Sequence, residues 1–148
     1  MVPQARGSIR LAGPDPGTPP LIDPNYLGED SDVVRLAEGL RVARDIAHSG
    51  PFSPWRGREV LPGSDIGDEK ALRSYLSSAT STYFHPAGSC AMGTGPDSVV
   101  DPELRVHGLN GLRIADASVM PRIVSVNTNA ATIMIAEKAA DLIRQAQR

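Results

Sequence analysis

Cysteine is nearly absent. Cys90 is the only one in 148 residues, so no disulfide can form within the chain, and a disulfide-stapled secreted scaffold is excluded. Aromatic residues are scarce as well, two Phe, one Trp and three Tyr, so the core has to be built from aliphatic side chains. Charge of neither sign dominates: 15 Lys and Arg stand against 17 Asp and Glu, a net charge of −2. Such a chain has no electrostatic ground for coating nucleic acid or an anionic membrane. No apolar run approaches the roughly 18–20 residues that span a bilayer. Met1–Leu11 carries no apolar core of a secretory signal. No internal repeat or heptad pattern is visible, and no G-x-G-x-x-G occurs anywhere. These absences leave a soluble mixed α/β chain, expected in the cytoplasm, with the length of about one domain.

Turn-forming residues are present in its place, 14 Gly and 13 Pro. Gly7–Leu11 alternates and predicts a short strand. Gly13–Pro20 is loop by its turn chemistry. Val33, Leu36, Ala37, Leu40, Ala43 and Ala47 recur at helical spacing and predict a helix over 31–49, capped by Asp30 or Ser31 and stopped by Ser49-Gly50-Pro51. Pro51–Gly67 reads as a loop anchored by Phe52 and Trp55. A second helix is predicted over 69–79, capped by Asp68, with Ala71, Leu72, Tyr75, Leu76 and Ala79 inward. Thr80–Phe84 reads as a strand, and Leu104–Val106 and Leu112–Ile114 as two more, joined through the Asn110-Gly111 turn. The last helix is predicted from Asn127–Ala130 to about Gln145. Its first half is apolar on nearly every side, the pattern of a buried helix that needs neighbours.

Two patches carry chemistry-bearing residues. In Tyr83–Gly93, Pro86 forces an extended backbone at His85, and the small residues that follow leave room for an approach to the imidazole. Histidine suits acid–base work near neutral pH, although a structural histidine is the commoner use of the residue. His85 with Ser89 or Cys90 as nucleophile lacks a G-x-S-x-G elbow and an orienting acid. His85, Cys90 and His107 lack metal-ligand spacing, and Cys90 reads as a small buried hydrophobe. The second patch runs from Asp116 to Pro121 and on through Val126–Thr132, into the N-terminus of the last helix. Free N–H groups there suit a negative ligand group. Asn127 or Asn129 as a plain N-cap is the simpler account.

Together these patches resemble the C-terminal part of the glucose–methanol–choline (GMC) family of FAD-dependent oxidoreductases. The matching stretches are HPAGSCAMG at His85–Gly93, VVDPELRVHGLNGLRIADASVMP at Val99–Pro121 and NTNAATIMIAEKAADLI at Asn127–Ile143. RGSIRL at Arg6–Leu11 and PLIDPNYL at Pro20–Leu27 are family-like too, and the wording is nearest the choline dehydrogenase-like branch. The resemblance implies an α+β / α/β chain, a C-terminal fragment of a two-domain fold. Residues 1–102 would be part of an antiparallel-sheet substrate domain. Residues 103–148 would return to the Rossmann-like FAD domain with a strand and the last helix. It implies His85 as the general base for an alcohol while hydride passes from carbon to flavin N5. Asn127 would stand beside it, with Asn129 the runner-up for that role. Asp116 and Ala117 would lie along the ribityl and phosphate region of FAD. Asn129 and Ala130 would bring backbone N–H groups to the flavin's pyrimidine edge, and no metal is implied.

The missing dinucleotide motif makes the chain look like a fragment, truncated product or split half. Two functions are then in play. The chain is part of an FAD-dependent alcohol oxidoreductase, completed by a missing N-terminal FAD-binding portion and acting on a small-molecule alcohol. Alternatively it is a stand-alone non-catalytic binding module or an inactive truncated remnant.

Overall fold

Residues 2–147 are described by a computed structural model. They pack as two units, Pro3–Ser81 and, with Val2, residues 82–147. No helix among the described residues is long and apolar enough to cross a membrane.

In the first unit the alternating segment forms β1 (Ser8–Arg10), which pairs antiparallel with β2 (Leu21–Asp23) through Ser8↔Asp23, Ile9↔Ile22 and Arg10↔Leu21. β2 is too short for the sequence pattern to announce. Gly7 sits where a Cβ would come within 2.1 Å of the Asp23 carbonyl oxygen, so the close approach of the two strands requires glycine. α1 (Asp30–His48) and α2 (Glu69–Ala79) meet through a small aliphatic core of Ala37, Leu72 and Leu76. Leu27, Val33, Leu36, Leu40, Ile66 and Tyr75 pack around it.

Capping differs between the two helices. Asp68 caps α2 as expected, its carboxylate accepting from Ala71 N–H at 2.8 Å. Neither Asp30 nor Ser31 caps α1, whose N-cap is Glu29 without a side-chain bond. The Asp30 carboxylate pairs instead with Arg73 of α2. The buried Asp32 carboxylate accepts from the backbone N–H groups of Gln4 and Ala5 and ties the chain start to α1. Ala43, Ala47 and Ala79, expected inward, are exposed, because each lies beyond the reach of the facing core. Phe52 and Trp55 do not anchor their loop either: Trp55 is 86% exposed. Arg44 does that work, bonding the Glu59 carboxylate at 2.8 Å and the Gly63 and Ile66 carbonyls at 3.0 and 2.9 Å.

Among the described residues the second unit has one α-helix, α3 (Asn129–Ala146), and a core of Val100, Leu104, Val119, Met120, Ile135 and Ala139. The expected strand at Thr80–Phe84 does not form. Phe84 N–H turns onto Thr82 Oγ1 at 3.0 Å, and Phe84 itself adopts φ +62°, a left-handed turn that ends any extended run. The two strands expected at 104–106 and 112–114 shrink to isolated bridges, Val100↔Val106 and Arg105↔Arg113. Leu104 at φ +65° interrupts the first of them. The connection between them turns through Gly108 and Gly111, both at φ +76°. α3 is not buried all round: Ile135 and Ala139 pack inward, while Ile133 and Met134 are 55% and 60% exposed.

Val119 is fully buried at the centre of this unit. Val119→Ala should cost roughly 2 kcal/mol through lost burial and an unfilled cavity, read as a lower urea midpoint at unchanged slope. A change under about 0.5 kcal/mol would show that this cluster is not what holds the unit.

Candidate functional site

The two chemistry-bearing patches are brought side by side by backbone hydrogen bonds. Gly88, Cys90 and Met92 N–H donate to the carbonyls of Ala117, Ser118 and Val119 at 3.4, 2.9 and 2.9 Å. On the other side, Val99 N–H donates to the Ala91 carbonyl and Gly93 N–H to the Val100 carbonyl, both at 2.9 Å. The segment after His85 is therefore held from both sides. Gly88 is required twice over: its φ is +88°, and a Cβ there would stand 3.2 Å from the Met120 carbonyl oxygen.

His85 is half-buried, and the start of α3 faces it. Asn127 Nδ2 lies 3.2 Å from His85 Nε2, and Thr128 Oγ1 lies 3.1 Å from His85 Nδ1. Asn127 Oδ1 accepts the Asn129 backbone N–H at 2.9 Å. That bond fixes which end of the amide faces the ring, an orientation read from the hydrogen-bond network. The NH2 end points at the histidine, so Asn127 donates and His85 Nε2 accepts. A neutral imidazole with an acceptor at Nε2 carries its proton at Nδ1. The Tyr83 ring stands edge-on to the imidazole, centroids 6.1 Å apart at 70°.

Of the residues expected in the site, His85 and Asn127 meet directly, and Asn129 joins them through its backbone. Ala130 follows in the exposed first turn of α3. Among the described residues no side-chain hydrogen bond joins the runner-up Asn129 to His85. Asp116 and Ala117 stand at the head of the 3-10 turn Ala117–Val119, beside the segment that follows His85. Among the described residues no hydrogen bond joins Asp116 to His85 or Asn127. The Asp116 carboxylate accepts Ser118 N–H at 2.7 Å. The Ser118 hydroxyl and then that N–H hold it below the usual carboxylate range. His107 is structural: Nε2 donates to the Gly93 carbonyl at 3.1 Å and lies 3.3 Å from Ser98 Oγ. Among the described residues no three His, Cys, Asp or Glu side chains gather as a metal site. Thr128 is the residue that sequence reasoning missed, because a threonine before a helix is ordinarily explained as its cap.

The donor set at the start of α3 suits an acceptor-rich group. Thr128, the N-cap residue, makes no side-chain cap, and helices leave their first N–H groups without internal partners. The small side chains of Ala130 and Ala131 leave those groups approachable.

Comparison with known proteins places the chain in a family. The sequence model described as GMC oxidoreductase matches residues 3–136. The oxygen-dependent choline dehydrogenase of Escherichia coli is 44% identical over 140 residues, 95% of this chain and 25% of that protein. Among solved structures, pyridoxine 4-oxidase from Mesorbium loti superposes with a TM-score of 0.89 and 37% identity, covering 97% of this chain and 28% of that one. A formate oxidase variant from Aspergillus oryzae, studied for its FAD modification, gives 0.87 and 31%, covering 95% and 25%. The chain thus spans about a quarter of the length of the relatives it matches.

Two outcomes are expected here. Gly88→Ala should cost about 1–2 kcal/mol from the left-handed backbone alone, with a further penalty from the Met120 carbonyl. Thermal unfolding measures it, and an unchanged midpoint would count against the tight approach. Asp116 has a folded pKa depressed below its unfolded one, so its stabilisation is full above the usual carboxylate range. It is lost as pH falls through the depressed value. Urea unfolding from pH 7 down to about pH 3 should show any advantage of the wild type over Asp116→Asn shrinking below about pH 4. Parallel curves would contradict the Ser118 interaction.

Proposed function

Because this chain belongs to the GMC oxidoreductase family, we propose that it is the C-terminal part of an FAD-dependent alcohol oxidoreductase with His85 as general base. The observation that carries the reading is the His85–Asn127 pair, with the asparagine amide oriented by Asn129 N–H. In this reading residues 1–102 belong to a substrate domain and residues 103–148 to the FAD domain. A missing N-terminal portion supplies the dinucleotide site.

The chemistry a bound FAD supplies is acceptance of a hydride at flavin N5. The chain's own residues handle the proton. An alcohol hydroxyl takes the place of Asn127 Nδ2 as donor to the His85 Nε2 lone pair. Asn127, its Oδ1 still held by Asn129 N–H, keeps its NH2 for the alcohol oxygen. As the carbon–hydrogen bond breaks, the hydroxyl proton moves to Nε2. The resulting N–H and the Asn127 amide both face the oxygen where charge develops. The first turn of α3 would face the flavin's pyrimidine edge with its N–H groups and the positive end of its dipole. Asn129 N–H already donates to Asn127, so in that turn the Ala130 and Ala131 N–H groups would be the donors left for the cofactor. Asp116 and Ala117 would lie along the ribityl and phosphate region.

The test combines the chain with the N-terminal FAD-binding portion of a GMC oxidoreductase and FAD. Alcohol-dependent bleaching of the flavin absorbance is expected, slowed by on the order of 10²–10⁴-fold in His85→Ala. The chain alone should bind FAD weakly or not at all. A flavin-loaded complex that bleaches with no alcohol would favour a non-catalytic module or remnant. Equal rates for wild type and His85→Ala would remove His85 from the chemistry.

A further inference from the structure

Thr128 does not do what its position suggests. It is the N-cap residue of α3, where a threonine hydroxyl ordinarily accepts a backbone N–H from the first turn. It makes no such bond. Its side chain is withdrawn from solvent, the residue being only 8% exposed, and its Oγ1 lies 3.1 Å from His85 Nδ1. Giving up a cap and burying a hydroxyl both cost stability unless the hydroxyl has a partner. The imidazole is that partner.

The direction of this hydrogen bond follows from the opposite side of the ring. If Thr128 donated to Nδ1, the neutral imidazole would carry its proton at Nε2. That N–H would then point at the Asn127 NH2 across 3.2 Å, donor against donor. The amide cannot turn to relieve this, because Asn129 N–H holds its oxygen at 2.9 Å. The consistent arrangement has Nδ1–H donating to Thr128 Oγ1 and the Nε2 lone pair facing outward.

We propose that Thr128 is a positioning residue that holds His85 in the Nδ1–H tautomer, leaving Nε2 as the acceptor. As a catalytic device this rests on the reading of His85 as the base, but the hold on the tautomer does not. The hydroxyl orients the ring through a neutral hydrogen bond. After proton transfer it continues to accept from Nδ1, so the charged ring keeps the same orientation. Asn127 and Thr128, adjacent in sequence, thus grip the two nitrogens of one imidazole.

The experiment has two readouts. Nitrogen-15 NMR of the histidine rings in the labelled chain reports the tautomer. At a pH where the ring is neutral, His85 should show a protonated Nδ1 and an unprotonated Nε2. In Thr128→Val, which keeps the shape and removes the hydroxyl, those signals should move toward the other tautomer or an average. Thr128→Ser should restore them. In the FAD-loaded complex, Thr128→Val should lower kcat by up to about tenfold, the loss expected for one hydrogen bond. KM should change little, and Thr128→Ser should recover most of the rate.

A wild-type His85 protonated at Nε2 overturns the proposal, and does so even if the valine variant fails to fold. An Nδ1–H tautomer unchanged in Thr128→Val also overturns it. If the wild-type complex oxidises no alcohol while the tautomer shifts as described, the enzymatic reading fails and the positioning role of Thr128 stands.

Discussion

The site depends on three backbone hydrogen bonds, those from Gly88, Cys90 and Met92 to the carbonyls of Ala117, Ser118 and Val119. Nearly thirty residues of chain separate these stretches, so closing the loop between them costs entropy that local turns cannot repay. The repayment is apolar. Val100 and Val119 are fully buried, and Met120 and Leu104 complete the cluster beneath. The same cluster takes Ile135 and Ala139 from α3, which fixes the helix whose start lies against His85. The placement of His85 against the start of α3 is thus set by aliphatic packing below it. The scarcity of aromatic residues fits this arrangement, since small branched side chains let the backbones approach closely.

How much of this the sequence discloses depends on the range of the interaction. α2 is legible to its ends because a local cap at Asp68 and a helical apolar spacing state the same thing. α1 is legible in extent but not in capping, because Asp30 is drawn to Arg73, a partner 43 residues away. The strands expected at 80–84, 104–106 and 112–114 fail for another reason. Phe84 and Leu104 adopt positive φ, a conformation that alternation in the sequence gives no sign of. Trp55 looks like an anchor by composition, whereas the loop is held by Arg44 through a carboxylate and two carbonyls. In the site, the His85–Pro86 chemistry is visible residue by residue. The pairing of His85 with Asn127 came only from the resemblance, and Thr128 came from neither.

The exposure of α3 carries a further lesson about the apolar half of that helix. Its sequence calls for cover on every side, yet only the face with Ile135 and Ala139 is covered, and Ile133 and Met134 remain open to water. At this exposure each forgoes about half of the roughly 1.5–3 kcal/mol that full burial would give. A chain spanning about a quarter of its relatives' length would find that cover in the remainder of a longer protein. On the proposed reading this is the N-terminal FAD-binding portion. The pattern that disagrees with the packing of these residues is therefore consistent with the enzyme they are proposed to complete.

Asn127 shows why the plain and the chemical accounts of a polar residue need not compete. As a capping residue it should accept a backbone N–H near the helix start, and its Oδ1 accepts from Asn129. On the proposed reading it should present a donor at the reacting centre, and its Nδ2 faces His85. An amide has both groups at a fixed separation, so satisfying the first function enforces the second. A serine or aspartate would cap as well but would offer no fixed donor. A leucine would fill the space and do neither. The helix end therefore does more than carry the amide: it selects which end of the amide the histidine meets. On the proposed reading, that choice acts together with the Thr128 hydroxyl at Nδ1 to leave Nε2 as the nitrogen that accepts a proton.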